Sequence, residues 1–489
     1  MNQAMPKFQE EYSAKLPALT LLTQLGWRFL SPDAALSMRG GKTDEVVLRP
    51  LLREALAQRR FHFAGQDYPL SERAMDNLIA QVCSPALNEG LLTANERMYH
   101  QLLYGISVTE FIDGKKATPT IALIDWQNIA QNNFTFTEEF SVLRSGGLDT
   151  RRPDVVCFVN GIPLVVIEAK RPDGNAKKGP TIDEGISQSL RNQRHDEIPR
   201  LFVYSQLLLS INGHEGRYGT CETPAKFWAA WREEDVSDGE MHAIKNTRLT
   251  DAQIQGLFDH RPADDVRWYQ ALIAGGDLAV TGQDVLLMSL LTPSRLLDMV
   301  RYFTVFDSKF GKLVARYQQV FGIRRLIERI NTRRADGGRE GGVVWHTTGS
   351  GKSLTMVFLS KTLILHDTLK ACRILVVTDR VDLEKQLSNT FAATGEFAGR
   401  AEKQSSLANS GAKLAQMIGK GTERIIFSLI QKFNSATKLP ECFNDSADLI
   451  VLVDEGHRSQ GGENHTRMSM ALPKAAFVAF TGTPLLKND

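Results

Sequence analysis

The sequence predicts an α/β protein built from two successive folded parts, a mixed-sheet domain followed by a parallel, doubly wound lobe. The first observation is length, because 489 residues exceed what one hydrophobic core usually serves. The second is a change of pattern along the chain. Helical spacing and β-rich runs come first, and short apolar strands that alternate with helical segments follow, which is typical of a parallel sheet covered on both faces.

Composition favours a globular, cytoplasmic protein without a membrane partner. The 42% of hydrophobic residues form no uninterrupted run near the roughly 18 residues that suggest a membrane span, and no secretory pattern opens the sequence. Five dispersed cysteines without metal-type spacing are expected to be reduced thiols. A net charge of +2 means that contact with nucleic acid requires a local basic surface.

The first domain is predicted to span residues 1–240, with its core around 150–210. Apolar residues early in the chain recur at helical spacing, as in "LPALTLLTQLGW", and later runs such as "DVVCFVNGIPLVVIEAK" and "RLFVYSQLLLSI" favour strands. The polar stretch that follows predicts a connecting segment at 241–275. The parallel lobe is expected over 276–489.

A nucleotide site is predicted at "GGVVWHTTGSGKS". The apolar strand "GGVVW" runs into a loop of small residues and then a segment with helical spacing, which is the context that a phosphate-binding loop requires. In such a loop backbone N–H groups point at phosphate oxygens, a lysine neutralises β/γ-phosphate charge and a serine hydroxyl binds Mg²⁺. An ordinary strand-to-helix turn is the alternative. The nucleotide-binding candidates are Thr348, Gly349, Ser350, Gly351, Lys352 and, as a magnesium ligand too, Ser353.

A pair of carboxylates is expected at the same edge of the predicted sheet. The apolar run "DLIVLVDEGH" delivers Asp454 and Glu455 at the carboxyl end of a strand, where ligands of such sheets bind. We expect Asp454 to hold Mg²⁺ through water and Glu455 to orient and activate the attacking water. A solvated pair without a chemical role is the alternative.

The ordered stretches "HTTGSGKS", "VVTDR", "IIFSLIQKF", "VDEGH" and "FTGTP" resemble motifs I, Ia, Ib, II and III of superfamily 2 helicases and translocases. In that family motif I often lacks the first glycine, so His346 is a common departure. The resemblance implies that His457 and the segment Thr481, Gly482 and Thr483 couple the nucleotide state to contact with nucleic acid.

The same resemblance implies a glutamine that reads adenine within "ARYQQVF". Gln319 is the candidate, and a buried or capping glutamine is the alternative. The sequence stops at Asp489, directly after motif III. We therefore expect that a second lobe and its arginines are missing, and that this chain binds ATP but hydrolyses it poorly or not at all.

A second chemistry is predicted at "RRPDVVCFVNGIPLVVIEAKRP", where an Asn-Gly hairpin signal joins two β-rich runs. Glu168 and Lys170 lie two residues apart on the second strand, so both emerge on one face, and Asp154 begins the first strand. Converging carboxylates supply oxygen ligands for Mg²⁺, and the lysine can position water or stabilise charge during phosphodiester hydrolysis. A strand with an exposed charged face is the alternative.

The register of this hairpin is a test of the catalytic interpretation. A two-residue turn with regular pairing would place Asp154 opposite Ile167, on the wrong face relative to Glu168. A three-residue connection or one bulge would bring Asp154 opposite Glu168. We therefore predict such a connection or bulge if the site is catalytic.

The Pro-Asp and Glu-x-Lys elements resemble the PD-(D/E)xK nuclease core, and Arg-x-Asp before "FVNGIPLVVIEAK" is similar to the R subunit of type I restriction-modification enzymes. Those proteins place such a nuclease directly before a superfamily 2 motor, the same order as here. The family also carries a Gln-x-x-x-Tyr element on the next helix. Gln188 matches its glutamine, Asn192 stands where tyrosine is expected, and Glu184 is expected at the helix surface.

This resemblance implies a restriction subunit that couples ATP-dependent DNA translocation to Mg²⁺-dependent cleavage of double-stranded DNA away from the recognition site. The implied partners are methyltransferase (M) and specificity (S) subunits in a hetero-oligomer. A nuclease-helicase of DNA repair is one alternative. A motor subunit whose nuclease fold is a non-catalytic DNA-docking module is another.

Two basic regions are candidates for DNA contact. Residues 309–339 contain nine Lys or Arg against two acidic residues, although a solvated helix face would also explain such a run. The other region is formed by Arg151, Arg152, Lys170 and Arg171, which flank the predicted nuclease residues.

Overall fold

A computed structural model defines the fold over residues 9–172, 181–307, 309–345, 351–378, 388, 407–454 and 463–482. The chain forms two compact units. The first comprises residues 1–301 together with 311–314, and the second comprises 302–310 together with 315–489. The predicted α/β class is confirmed, because the first unit contains a mixed sheet and the second a parallel one.

The first unit combines short helices with a central sheet. Its helices α1 to α12 are Leu16–Gln24, Pro32–Ser37, Arg49–Ala57, Glu72–Cys83, Leu91–Tyr104, Thr181–Asn192, Pro199–Phe202, Asp238–Lys245, Asp251–Phe258, Ala263–Ala274, Gly282–Leu291 and Pro293–Arg301. Its strands β1 to β14 are Arg28–Leu30, Arg60–Phe63, Gln66–Pro69, Ile106–Ser107, Glu110–Ile112, Lys115–Ala117, Thr120–Ile121, Phe134–Glu138, Val142–Leu143, Thr150–Arg151, Val155–Val159, Ile162–Ala169, Leu207–Ile211 and Gly216–Gly219.

The central sheet of this unit has six strands in the order β1-β8-β11-β12-β13-β14. The neighbours β1/β8 and β12/β13 run parallel, and β8/β11, β11/β12 and β13/β14 run antiparallel. Every residue of β11 and β12 is buried, including the polar ones. The hairpin that carries the predicted nuclease residues therefore lies in the middle of the sheet and not at its surface.

An ionic cluster fixes the start of the chain beside β8. Lys15 Nζ lies 2.8 Å from a Glu11 carboxylate oxygen and 2.7 Å from one of Glu139. Arg261 pairs with the carboxylates of Glu11 and Glu138. Burial lowers the pKa of Lys15, but the surrounding carboxylates outweigh it and raise this pKa overall. The segment before α1 is thereby held next to the β8–β11 part of the sheet.

The second unit is built on a parallel sheet. Its strands β15 and β17 to β21 are Thr304–Asp307, Gly342–Trp345, Arg373–Thr378, Ile425–Leu429, Leu449–Asp454 and Ala476–Thr481, and the intervening strand β16, Gly311–Val314, is assigned to the first unit. Its helices α13 to α17 are Tyr317–Asn331, Lys352–Leu365, Gly411–Lys420, Ile430–Ala436 and Glu463–Ala471. The parallel sheet has the order β17-β21-β20-β18-β19.

Three sequence expectations differ from the structure. Residues 241–301, expected as a connector and the start of the lobe, form helices of the first compact unit, while the functions assigned to the units remain predictions. The first part of "RLFVYSQLLLSI" belongs to the helix Pro199–Phe202, because the proline directly before this stretch opens a helical turn. Strand β17 is not buried on both faces, since its residues are partly buried or exposed in alternation. It pairs with β21 alone among the described strands.

The expectation for the cysteines agrees with the structure. The five cysteines are buried and unpaired. In the part of the chain that the structure describes, no helix is long and apolar enough to cross a membrane.

Lys312 is a buried cation in strand β16 and is only 2% exposed. Its ammonium donates to Asn95 Oδ1 at 2.8 Å, to Gln206 Oε1 at 2.7 Å and to the Ser205 carbonyl oxygen at 3.3 Å. Burial lowers the pKa of Lys312 to about 7, and a thiolate at Cys221 would oppose this decrease. The side chain counted among the basic residues of 309–339 is therefore part of a polar core and cannot contact DNA.

We expect the stabilising contribution of Lys312 to increase with pH. Because its folded pKa is about 7 and lysine in an unfolded chain titrates near 10.4, the unfolded state binds more protons between these values. We compare the free energy of unfolding of the native chain with that of Lys312→Met. The difference, native minus variant, should rise by up to about 1.4 kcal/mol per pH unit above pH 7. Denaturant titrations at several pH values measure this difference. The control Lys116→Met, in an exposed strand, should show no such slope.

Candidate functional site

A β-bulge aligns the predicted nuclease residues in the first unit. Val159 pairs with Ile162 across a two-residue turn, but the register shifts between Phe158 and Cys157, so that Leu164 is the extra residue of β12. Beyond the bulge Val155 pairs with Ile167. The predicted bulge is thus confirmed, although it lies in the strand and not at the turn. The shifted register continues to place Asp154 opposite Glu168.

The turn itself explains the Asn-Gly signal. Asn160 has a φ of 52° and Gly161 a φ of 77°, the left-handed pair that a two-residue hairpin requires. A Cβ on Gly161 would lie 2.3 Å from the Leu48 carbonyl oxygen, so glycine is also needed for the close approach of the chain before α3. The Asn160 side chain donates to the Leu123 carbonyl oxygen at 2.9 Å. The turn is therefore anchored on both sides.

The three predicted nuclease residues meet at the end of this hairpin. Asp154 Oδ2 accepts from the Ala169 backbone N–H at 2.7 Å and from Lys170 Nζ at 3.4 Å. Lys170 Nζ also donates to the Ala169 carbonyl oxygen at 2.6 Å. Asp154 and Lys170 are each 8% exposed and Glu168 is fully buried. Two carboxylates and an ammonium therefore share one largely dehydrated pocket.

The two carboxylates of this pocket are only partly balanced by the Lys170 ammonium. Burial raises the pKa of Glu168 well above its ordinary value, and the negative charge of nearby Asp154 raises it further, while Lys170 opposes the increase. A buried pair of like charges is stable only if a proton or a cation neutralises it. The buried pair must therefore take up a proton or bind a cation.

The donor set fits Mg²⁺. This ion is commonly bound through one or two carboxylates while water and substrate oxygens complete its shell. Asp154 and Glu168 supply the two carboxylates. Among the described residues, no cluster of three or more His, Cys, Asp or Glu side chains has metal-binding geometry.

Helix α6 supports the Glu168 carboxylate from the side. Gln188 Nε2 donates to Glu168 Oε2 at 2.6 Å, and Asn192 Nδ2 donates to Glu168 Oε1 at 3.3 Å. These two residues lie four apart, on one face of the helix. Gln188 thus lies where the sequence predicted it, and Asn192 contacts the same carboxylate from the tyrosine position. Glu184 is exposed, as expected.

Sequence reasoning missed two contributors. Gly185 lets α6 approach the sheet, because a Cβ there would lie 2.2 Å from Ser210 Oγ and 3.5 Å from Lys170 Cγ. Glu10 Oε2 lies 4.0 Å from Lys170 Nζ, and burial raises the pKa of Glu10. Gly185 lies inside the helical pattern, where a glycine hints at close packing. Glu10 gives no sequence signal, since only tertiary packing brings it to the hairpin.

The nucleotide candidates that the structure describes also come together. Lys352 opens α14 and its Nζ lies 2.8 Å from Asp454 Oδ1 at the carboxyl end of β20. Ser353 follows on the same helix. Gly351 has a φ of 93°, a left-handed conformation that favours glycine. The parallel sheet thus brings the loop lysine and the strand carboxylate to one edge, as the sequence predicted.

Gln319 is buried beside this edge. Its Nε2 donates to Thr355 Oγ1 at 3.1 Å and lies 3.5 Å from the Gly351 carbonyl oxygen, while its Oε1 accepts from the Arg316 backbone N–H at 3.0 Å. Gln319 therefore caps helix α13 and contacts the start of α14 at once. With Trp345 and other residues it lines a cavity of ≈ 790 Å³. The capping alternative is present, and adenine binding remains a prediction.

Two of the three coupling candidates at the end of the sequence are described. Thr481 ends β21 and Gly482 follows it. The Gly482 carbonyl oxygen accepts from Trp345 Nε1 at 3.2 Å. The remaining candidates lie outside the described residues: His346, Thr348, Gly349, Ser350, Glu455, His457 and Thr483.

Two of the nine basic residues in 309–339, Lys312 and Arg339, are buried. Arg339 is 5% exposed and donates to the Ala447 carbonyl oxygen at 2.7 Å and to Asp448 Oδ1 at 2.8 Å. In the first unit, Arg151 forms two hydrogen bonds to Glu197, at 2.6 and 2.9 Å. These arginines serve the fold and are unsuitable for DNA contact. Arg152 and Arg171 are exposed and remain candidates beside the nuclease residues.

The fold and the two sites define a protein with a nuclease-type mixed sheet followed by an ATPase-type parallel lobe. Comparisons with known families agree. Residues 7–227 match the model described as Type I restriction enzyme R protein N terminus, and residues 318–489 match the SWI2/SNF2 ATPase model. The predicted resemblance is therefore confirmed: this is a chain like the R proteins of type I restriction enzymes.

Curated relatives carry corresponding names. A putative type I restriction enzyme MjaIXP endonuclease subunit of Methanocaldococcus jannaschii is 28% identical over 100% of this chain and 44% of its own length. The HindI endonuclease subunit of Haemophilus influenzae is 29% identical over 96% of this chain and 42% of its own length. The chain thus spans less than half of these relatives. A structural match to the helicase domain of Pyrococcus furiosus Hef covers 36% of this chain and 34% of the Hef chain. The sequence identity is 16% and the TM-score is 0.27.

We expect Gly185→Ala to damage the nuclease site. The added methyl group would overlap Ser210 Oγ, which donates to the Ile182 carbonyl oxygen at 2.8 Å, so α6 must move away from the sheet. Such overpacking should reduce the free energy of unfolding by about 1–3 kcal/mol, as denaturant titration measures. The control Gly256→Ala, in exposed helix α9 with no atom within 4 Å of the new Cβ, should be neutral or stabilising. Equal effects of both substitutions would refute the packing role.

Proposed function

We propose that the chain is the nuclease and ATPase part of a type I restriction subunit, which couples ATP-dependent DNA translocation to Mg²⁺-dependent double-strand cleavage away from the recognition site. The bulge at Leu164 carries this proposal, because it brings Asp154 opposite Glu168 beside Lys170. A hairpin without a catalytic role gains nothing from burying two carboxylates together, since each loses its hydration. The convergence supports catalysis over the non-catalytic docking alternative.

The nuclease residues have distinct roles in phosphodiester hydrolysis. Asp154 and Glu168 would hold Mg²⁺, which when bound polarises the phosphate and lowers the pKa of a water molecule. Lys170 presents its ammonium in the same pocket, where it can position a water or balance negative charge that builds on the phosphate. Gln188 donates to Glu168 and so fixes the direction of that carboxylate. Low exposure of the pocket strengthens each of these interactions.

The nucleotide residues act at the edge of the parallel sheet. Lys352 would neutralise β/γ-phosphate charge, and its ion pair with Asp454 holds the ammonium at this edge. Ser353 and Asp454 would bind the Mg²⁺ of the nucleotide, directly and through water, and Glu455 would orient the attacking water. The cavity beside Gln319 falls in the size range of ligand pockets and supports binding of the base there.

Partners follow from the same proposal. The relatives are named as endonuclease subunits of type I restriction enzymes, so we expect double-stranded DNA and methyltransferase and specificity subunits as partners, in the cytoplasm. A nuclease-helicase of DNA repair is the rival, and it would lack these subunits. Co-purification of the full-length protein with both subunits would support restriction, and purification without them would support repair.

We expect Asp154→Asn to separate the two chemistries in the assembled full-length enzyme. It removes one carboxylate from the nuclease pocket, so cleavage should fall by at least about 100-fold while ATP hydrolysis stays near the native rate. Lys352→Ala should abolish both, because cleavage follows translocation. Plasmid cleavage and phosphate release measure the two activities.

Matched controls exist for both substitutions. Asp183→Asn changes an exposed carboxylate of α6, and Lys370→Ala changes an exposed lysine of the second unit. Both variants should behave as the native enzyme. Unchanged cleavage by Asp154→Asn would sink the nuclease assignment, whatever the result for ATP.

A further inference from the structure

The side of helix α6 that faces Glu168 contains more polar atoms than the contacts to that carboxylate use. Asn192 is 1% exposed and donates through Nδ2 to Glu168 Oε1. Its other polar atom, Oδ1, is buried and accepts no hydrogen bond from the described part of the chain. An acceptor therefore lies unused beside the carboxylate that is proposed to bind a cation.

A second unused group lies one turn away. Ser189 is 1% exposed, and its Oγ has no hydrogen-bond partner among the described residues. Residues three apart on a helix are neighbours on its surface, so Ser189 Oγ and Asn192 Oδ1 belong to the same face. Leaving two buried polar atoms on one helix face unsatisfied is costly, and native proteins avoid it with ordered water.

The chemistry of the two groups indicates which water they bind. Asn192 Oδ1 can only accept, and Ser189 Oγ can accept or donate. A water bound to a divalent cation gives a lone pair to the metal and becomes a strong hydrogen-bond donor through its two protons, so it needs acceptors. A water that bridges only helix atoms can accept hydrogen bonds as well as donate them, so it does not require acceptors. The free acceptor next to a metal-binding carboxylate favours the metal-bound water.

We propose that Asn192 and Ser189 hold a water of the hydration shell of a divalent cation at Asp154 and Glu168. This inference rests on the proposed nuclease function and deepens it. Asn192 is then a positioning residue with two tasks: its Nδ2 orients Glu168, and its Oδ1 accepts from the metal-bound water.

The amide orientation of Asn192 is consistent with this assignment. Glu168 Oε1 accepts from Nδ2, and the reverse orientation would set a carbonyl oxygen against a carboxylate oxygen. Gln188 occupies the other oxygen of Glu168. Both carboxylate oxygens thus have donors on α6, and their remaining lone pairs are available for a cation.

The test is Mn²⁺ binding to the full-length protein, measured by calorimetric titration without DNA or ATP. Asn192→Leu keeps the branched shape of the side chain but removes donor and acceptor, and we expect about a 10-fold loss of Mn²⁺ affinity, in the range for residues that support metal ligands. Ser189→Ala should weaken binding about 3-fold. The double variant should be no weaker than Asn192→Leu alone, because the shared water is already lost.

A control and two opposite results define the outcome. Ser187→Ala lies on the exposed face of the same helix and should bind Mn²⁺ as the native protein does. Native affinity in Ser189→Ala, which removes only a hydroxyl from the helix and should fold, would overturn the proposal. Additive losses in the double variant would overturn it too, since they exclude a shared water.

The reference variant Asp154→Asn distinguishes this inference from the proposed function. If it loses Mn²⁺ binding while Asn192→Leu and Ser189→Ala keep native affinity, the nuclease site stands and the water site fails. If Asp154→Asn itself binds Mn²⁺ normally, the cation site at this hairpin is wrong, and the inference falls with it.

Discussion

The first unit depends on burying two carboxylates beside one ammonium in the middle of a sheet. Such a pair is unstable in a dehydrated pocket unless its charge is balanced, and the structure balances it incompletely. The Ala169 N–H and Lys170 stabilise Asp154, whereas burial and the Asp154 charge raise the pKa of Glu168. The remaining positive charge must come from a proton or from a cation.

This constraint explains features that are otherwise unrelated. A bulge costs regular ladder hydrogen bonds, yet without it Asp154 would lie on the wrong face. A glycine weakens helix α6, yet a larger residue at 185 would overlap Ser210 and crowd Lys170. Gln188 and Asn192 then reach both oxygens of Glu168. Each local cost is offset by a more precise position of one buried carboxylate.

In the second unit, the order of the strands brings distant charged residues together. In a parallel sheet the carboxyl ends of all strands meet at one edge, so Lys352 after β17 and Asp454 at the end of β20 meet even though β21 lies between their strands. This is why the proximity of the nucleotide candidates Lys352 and Asp454 could be predicted from order and spacing. The basic run at 309–339 shows the limit of such prediction, because composition counts charges but does not show that Lys312 and Arg339 are internal.

The sequence by itself determined the α/β class, the hairpin, the parallel lobe and the nuclease and nucleotide candidates, because periodicity, turn residues and strand ends are local properties. Only the tertiary structure decided where the first unit ends, that the bulge lies at Leu164, that Asn192 contacts Glu168 and that Glu10 lies near Lys170. These facts depend on packing between segments far apart in the chain. The free energy of such contacts comes from burial and charge balance, which no local pattern of residues records.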